Sequence, residues 1–369
     1  MTTAVTSLYQ ELANNLRSDL ASGRFKPGQL FASEHDLARS RKLSRVTVRK
    51  ASDVLIGEGL LERRPGKGLF VSIGSGGGRT AIIQMVCGNL EWMPSIHAAR
   101  AVQEAARPHS FQIQIYDAHG SMAEDVEAIR RLPETSARGA IIFALHSVEF
   151  AEAIYGLKLA GFPCVLIDQR LADLDVSSVM ADNHAGGMLA GRALLAKGHR
   201  RIAFIGDLEA DTVQERLSGL RDAVGDAGLP FNRALVQDVS APDRFASWAE
   251  LVDQRLRALF AMPEPPTAVF ASCDAIARDV YAALGRMGLM VPRDVSVVGF
   301  DDDPLASSLM PGLTTVSQPF QDMGREAFAL LHRRILDPAC PVEHRKVPVS
   351  LIERGSVATA CRTPARIGA

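Results

Sequence analysis

Cysteine is scarce and unpatterned in this 369-residue chain: Cys87, Cys164, Cys273, Cys340 and Cys361 are scattered, odd in number and form no C-x-x-C pair. That argues against a disulfide framework or a zinc site and fits a reducing compartment. Long apolar runs are missing too. No stretch reaches the ~18 apolar residues a membrane-spanning helix needs, and the opening "MTTAVTSLYQELANNL" lacks the apolar core of a secretory signal. A soluble cytoplasmic protein with no membrane partner is expected. Signatures of catalysis are equally thin. There is no Walker loop, no G-x-G-x-x-G with a following ribose acid, no G-x-S-x-G and no metal-ligand cluster. "GSGGGR" at 74–79 lacks the Lys-Ser/Thr ending of a phosphate loop and precedes a strand rather than following one. The expectation is a non-enzyme with no cofactor and no metal.

What is present is a chain long enough for two or three domains, with 47% hydrophobic and 22% charged residues, ample for a packed core. Its net charge of −1 hides an asymmetry: residues 1–73 carry 12 Lys+Arg against 7 Asp+Glu, and the remainder is acidic. A small module facing an anion and a larger one that does not would give this pattern. "SIGSGGGRT" at 72–80 reads as a flexible connection, so the expected boundaries are 1–73, a Gly-rich linker at 74–80, and 81–357. After the linker, apolar runs such as "AIIQMV", "FQIQIY", "AIIFAL", "CVLID", "RIAFIG", "TAVFAS" and "VSVVGF" read as buried strands. Segments of helical period lie between most of them. Strands alternating with helices predict parallel sheets, and the length favours two α/β lobes.

In the basic segment, Ser33 followed by Asp36 predicts a capped helix from near Glu34. A short connection follows. Ser44 then caps a second helix, whose Val48, Ala51, Val54 and Leu55 face inward while Arg45, Arg49 and Ser52 share the other face. Between 39 and 50 there are six basic residues and no acidic one. "LLERRPGKGLFV" reads as a hairpin carrying Arg63, Arg64 and Lys67. A helix-turn-helix with a basic helix start suits duplex DNA, because free N–H groups favour phosphate and arginine can pair with guanine.

The pieces "LYQELANNLRSDLASGRFKPGQ", "SEHDLA", "SRVTVRKASDVLIGEGLL" and "GKGLFV" resemble the winged helix-turn-helix of the GntR family of bacterial regulators. That resemblance implies a recognition helix in the major groove and a wing tip in the minor groove. Arg45 and Arg49 would then read bases, Ser44 and Thr47 would hold phosphates, and Gly66 with Lys67 would sit at the minor groove, with Arg39 and Arg64 as further contacts. Two positions depart from the family: "FASE" replaces its Leu-Pro-Ser-Glu, and Lys42 stands where its turn usually has Gly, although lysine accepts φ > 0 less readily.

Asp168 and Asp301 each end an apolar run, and strand C-termini in open α/β sheets point into the ligand crevice. Trp92, after the first strand, is the best aromatic platform for the C–H face of a sugar. The stretches "VLIDQRL", "VMADNHAGGMLAGRALLAKGHRRIAFIGD", "ERLSGLRDAV", "ASCDAIARDVYAALGRMGLMVPRDVSVVGFDDDPLASSLMPGLTTVSQP" and "MGREAFALLHRRI" resemble the effector domain of the LacI/GalR family, a cytoplasmic relative of periplasmic sugar-binding proteins. The whole is similar to the arabinose-repressor type of hybrid. This implies two lobes joined by three crossing strands, a ligand in the cleft and a homodimer. By resemblance, Asp168, Arg216 and Asp301 would grip sugar hydroxyls, Gln318 would lie at a crossover, and Cys273 stands where the family commonly has Asn. Asp182–Asn183 read as a helix cap beside the cleft, and Asp302 and Asp303 as structural or solvated.

The expected fold is therefore α/β, a winged helix-turn-helix plus a two-lobed periplasmic-binding-protein-like domain with parallel sheets. The expected function is a ligand-responsive transcription regulator, a repressor of a carbohydrate catabolic operon, with operator DNA and a sugar or polyol effector as partners. The alternative is a cytoplasmic solute-binding protein or sugar-modifying enzyme with an accessory DNA-binding domain.

Overall fold

A computed structural model describes residues 8–21, 24–26, 28–57, 59–64, 66–71, 81–143, 148–171, 174–240 and 248–360. The expected linker, 74–80, lies outside the described residues, as does Cys361. The chain divides into two units that meet between Ala81 and Ile82.

The first unit begins with α1 (Leu8–Ala21) and a short strand, β1 (Leu30–Ala32), then α2 (Glu34–Arg41) and α3 (Arg45–Gly57). The hairpin β2 (Leu61–Arg64) and β3 (Gly68–Val71) follows, and β1 adds to it to give an antiparallel sheet of order β1-β3-β2. Both expected caps form: Ser33 Oγ accepts from the Asp36 N–H at 3.0 Å, and Ser44 Oγ accepts from the Thr47 N–H at 3.1 Å. Each satisfies one of the N–H groups left over at a helix start. Lys42 does adopt the left-handed conformation, at φ 53° and ψ 39°, and its N–H closes back on the Ala38 and Arg39 carbonyls. Leu12, Leu16, Leu37, Val48, Ala51, Leu55, Leu61 and Leu69 form one core. Ser52 corrects the sequence reading: it is fully buried rather than on the arginine face. It lies one turn beyond Val48, at the boundary of the apolar stripe, and the core takes it.

The second unit contains two six-stranded sheets. The first has order β14-β8-β7-β6-β4-β5, built from β4 (Ala81–Cys87), β5 (Phe111–Asp117), β6 (Ala137–Phe143), β7 (Cys164–Ile167), β8 (Ser177–Ala181) and β14 (His344–Val347). The second has order β10-β9-β11-β12-β13-β15, from β9 (Ile202–Gly206), β10 (Val236–Asp238), β11 (Ala268–Ala271), β12 (Ser296–Asp301), β13 (Thr314–Ser317) and β15 (Ser350–Ile352). Pairing in the second sheet is parallel except for β13 with β15. "FQIQIY" is not a buried strand: β5 is an edge, with Ile115 exposed, so its outer face lacks a covering layer.

Helices α4 (Met93–Ala106), α5 (Met122–Arg131), α6 (Val148–Leu159) and α12 (Phe320–Leu336) belong to the first lobe; α7 (Asn183–Ala196), α8 (Asp211–Asp226), α9 (Ala249–Phe260), α10 (Asp274–Arg286) and the short α11 (Pro304–Ser308) belong to the second. The chain changes lobes three times: from β8 to α7, from β13 to α12, and from β14 to β15. Two crossings are tied together, since the Asp182 N–H donates to the Val347 carbonyl at 2.9 Å. Two lobes hinged by three short segments can open and close about them.

Candidate functional site

The basic face of the first unit sorts into held and outward-facing cations. Arg63 is held by Glu34 and Asp53, at 2.6 and 2.7 Å. Arg64 donates to Glu62 at 2.6 Å and lies 4.3 Å from the Phe70 ring. Arg49 is exposed at the next turn after Arg45, and Ser44 and Thr47 place their hydroxyls 2.8 Å apart at the helix start. Sequence reasoning missed His35. Its Nδ1 lies 2.8 Å from Arg45 Nη2 and its Nε2 3.1 Å from Arg39 Nη2. A neutral imidazole accepts at only one nitrogen, so it can hold one of these arginines at a time. Gly66 sits at φ 70° with open space around it, so the wing tip needs glycine for its backbone turn. The Lys67 N–H closes that turn onto the Arg64 carbonyl.

In the second unit the strand ends carry the polar groups. Asp168 follows β7 at φ 57°, and Asp301 ends β12 at φ 118° with Asp302 next at φ 58°. Such conformations are rare for residues other than glycine and concentrate at functional sites. Arg216, on α8, is 4% exposed. Its Nε donates to Asn183 Oδ1 at 2.8 Å and its Nη1 to the Ser272 carbonyl at 2.6 Å. Its guanidinium lies 3.8 Å from the Phe300 ring and 3.9 Å from Asp301. Gln318, at the β13–α12 crossing, donates Nε2 to Asp301 Oδ1 at 2.7 Å.

Glycines set this geometry. A Cβ at Gly187 of α7 would come within 2.0 Å of the Arg216 carbonyl oxygen, and one at Gly219 of α8 within 2.1 Å of the His184 carbonyl. The helices therefore touch backbone to backbone, which brings Asn183 to Arg216. Sequence reading placed Asn183 at a helix cap. In the structure Asp182 is the cap, accepting from the Ala185 N–H at 3.1 Å, and Asn183 orients the guanidinium.

Burial pushes the Asp168 carboxyl up to about 7 against the opposing pull of Arg216. Burial also raises Asp301 and Asp274 above the usual carboxylate range. Asp274, which the sequence did not single out, is fully buried; it accepts from Thr315 Oγ1 at 2.6 Å and from the Asp303 N–H at 2.9 Å. Cys273 precedes it, and burial pushes its thiol up to about 12, leaving a neutral sulfur. Asp302 binds Arg354 at 2.7 Å, and Asp303 caps α11 through the Leu305 N–H at 2.9 Å.

A cavity of about 300 Å³ opens here between the lobes, lined by Met93 and His97 of α4, by Asp301 to Pro304, and by Ser317 to Asp322. Of the six expected effector residues, Asp301 and Gln318 line it. Arg216 touches Asp301 from behind, and Asp168 and Cys273 share its electrostatic environment. Trp92 is 37% exposed immediately before Met93, at the start of α4.

Fold and site together define a two-module protein: a winged helix-turn-helix and a two-lobed α/β binding domain with an interlobe cleft. Comparison with known proteins finds a match within each module. Residues 8–71 match the bacterial regulatory proteins of the gntR family, and residues 192–357 match the periplasmic binding protein-like domain. The chain is 28% identical over 334 residues to the arabinose metabolism transcriptional repressor of Geobacillus stearothermophilus, covering 89% of this chain and 91% of that protein. It is 36% identical over 197 residues to the ribose operon repressor of Escherichia coli (strain K12), covering 53% of this chain and only 57% of that repressor's length. Among solved structures, a LacI family transcriptional regulator from Enterococcus faecium with bound ribose aligns at a TM-score of 0.64 and 25% identity, over 76% of this chain and 100% of that one. A transcriptional regulator CelR–cellobiose complex shares the fold over 95% of this chain and 99% of its own, with a TM-score of 0.66. The chain joins a gntR-family winged helix-turn-helix to a periplasmic-binding-protein-like domain.

Proposed function

We propose that this protein is a ligand-responsive transcription regulator, a repressor of a carbohydrate catabolic operon. It acts in the cytoplasm as a homodimer and is not an enzyme. The observation that carries the reading is the pairing of two unlike sites on one chain. A Ser44-capped helix presents Arg45 and Arg49 outward, and a cleft at the interlobe crossings gathers Asp301, Gln318 and the buried Arg216. Ser44, Thr47 and the wing residues Gly66 and Lys67 would meet phosphates and the minor groove, with Arg39 and Arg64 in support. The named relatives are a ribose operon and an arabinose metabolism repressor, and the solved neighbours hold ribose and cellobiose. By that likeness a sugar or polyol is the effector here.

The mechanism is linkage. A ligand that fits the closed cleft better than the open one biases the hinge. In a dimer, the hinge sets the spacing of two DNA heads, whose half-sites recur at multiples of the helical turn. Fluorescence anisotropy of a duplex selected from a random library by the full chain tests this. Binding should weaken steeply with salt and change when a sugar from a melting-temperature screen is added. Failure to bind any duplex at low ionic strength would refute the reading. Turnover of sugars or ATP by the purified protein would favour the enzyme alternative.

A further inference from the structure

The cleft has a lopsided polar inventory. Four carboxylates line the cavity, Asp301, Asp302, Asp303 and Asp322, and neither lysine nor arginine is among its lining residues. Three of the four have local work. Asp302 is paired with Arg354, Asp303 caps α11, and Asp322 pairs with Arg325 in the first turn of α12. Asp301 accepts from Gln318 and lies 3.9 Å from Arg216, the one guanidinium it shares with nearby Asp168. That guanidinium, Arg216, already donates to Asn183 and the Ser272 carbonyl and lies on the Phe300 face.

The unpaired groups at this point are acceptors. Gln318 is 6% exposed and lines the cavity; its Nε2 is used on Asp301, and its Oε1 has no hydrogen-bond partner. Asp168 Oδ1 is likewise buried without a partner. A buried acceptor left unpaired costs about 1–3 kcal/mol, so the site calls for a ligand that brings donors. An inorganic cation is not served, because no group of three His, Cys, Asp or Glu side chains among the described residues converges as metal ligands do.

We propose that the cleft contains an ammonium subsite: the effector is a polyhydroxyl compound carrying a protonated amine, which Asp301 and Gln318 Oε1 hold, with Asp168 behind them. This rests on the reading of the cleft as a polyol-effector site and names the charge of its occupant. An ammonium supplies three donors and a positive charge where two carboxyls share one arginine. A sugar acid would meet the same carboxyls with like charge and no donor at that end. Burial raises both carboxyls, so an incoming cation also favours their ionised forms.

Isothermal titration of the full chain at about pH 7 tests the proposal with matched probes: glucosamine against glucose, glucamine against sorbitol, and gluconate as the anion. The expected result is that an amine binds at least ~tenfold more tightly than its hydroxyl parent, that gluconate does not bind, and that Asp301→Asn removes the preference. Gln318→Leu, which leaves every charge in place, should reduce it, with folding checked by the thermal melt. A parent that binds as tightly as its amine, or gluconate binding as well as either, overturns the ammonium subsite and leaves the polyol reading standing. If none of the probes binds, the polyol reading fails and the subsite with it.

Discussion

The two units use charge in opposite ways. In the winged unit the ion pairs lie at the surface, as between Arg41 and Asp19 or Arg63 and Glu34, and of the arginines proposed to meet DNA, Arg39, Arg45 and Arg49 are exposed and Arg64 is half-buried. Surface pairs contribute ~0–1 kcal/mol and are screened by salt, so these cations can exchange one partner for another at little cost. In the binding unit the principal cation is Arg216, buried, bonded to Asn183 and the Ser272 carbonyl, and locked by a glycine-lined helix contact. Desolvated charge is costly to strand, so its neighbours are fixed in place. The first arrangement suits a long, uniform polyanion met at many points. The second suits one small ligand met in one geometry.

Breaking the buried side should have the larger effect. Asp301→Ala strips Gln318 of its acceptor and Arg216 of its ion-pair partner. Effector affinity, read by calorimetry, should fall ~100-fold or more, with duplex binding unchanged, since a stranded buried charge costs roughly 3–5 kcal/mol. Gly187→Ala forces a side chain against the Arg216 backbone; urea unfolding of the second unit should show a loss of about 1–3 kcal/mol together with weaker effector binding. On the exposed side, Arg49→Ala should weaken duplex binding by about 1–3 kcal/mol, roughly ten- to a hundredfold, and leave the calorimetry of the effector intact. If either Asp301→Ala or Arg49→Ala harmed both activities equally in a folded protein, the division of labour would be wrong.

Two smaller effects sharpen the contrast. A carboxyl raised by burial from 3.8 to about 7 binds its proton more tightly in the folded chain than in the unfolded one. Its contribution is therefore fully present below about pH 4 and lost as pH rises through 7. Asp168→Asn should flatten that decline and raise the melting temperature at pH 8 by a few degrees, ~2–4 °C per kcal/mol for a unit of this size. Ser33→Ala removes a cap at the surface and should cost only ~1 kcal/mol, visible in the melt of the first unit.

Much of this was legible in the chain because it is local. Ser33 and Ser44 announce their helices through the residue three places on, Gly228 at φ 71° closes the turn after α8, and Asp168 and Asp301 end apolar runs. What escaped depends on distant partners. The strands β8, β13, β14 and β15 are three to five residues long, "SSVMA" is too polar to read as buried alone and "HRKV" stays largely exposed; the sheet, not the sequence, makes them strands. Asn183 and Asp274 look like helix-start residues, and only the packing of α7 on α8 and of β13 beside α10 gives them Arg216 and Thr315 as partners. Ser52 escaped for the reverse reason: it is polar by type, yet sits where the helix meets its core.

The most direct measurement titrates one selected duplex with the full chain across a range of salt, with and without saturating effector. Log affinity should fall linearly with log salt, by ~0.9 per phosphate neutralised, and effector should shift the whole line by roughly five- to 150-fold. A flat line, or one that effector fails to move, would contradict the coupling of an exposed arginine face to a buried hinge site.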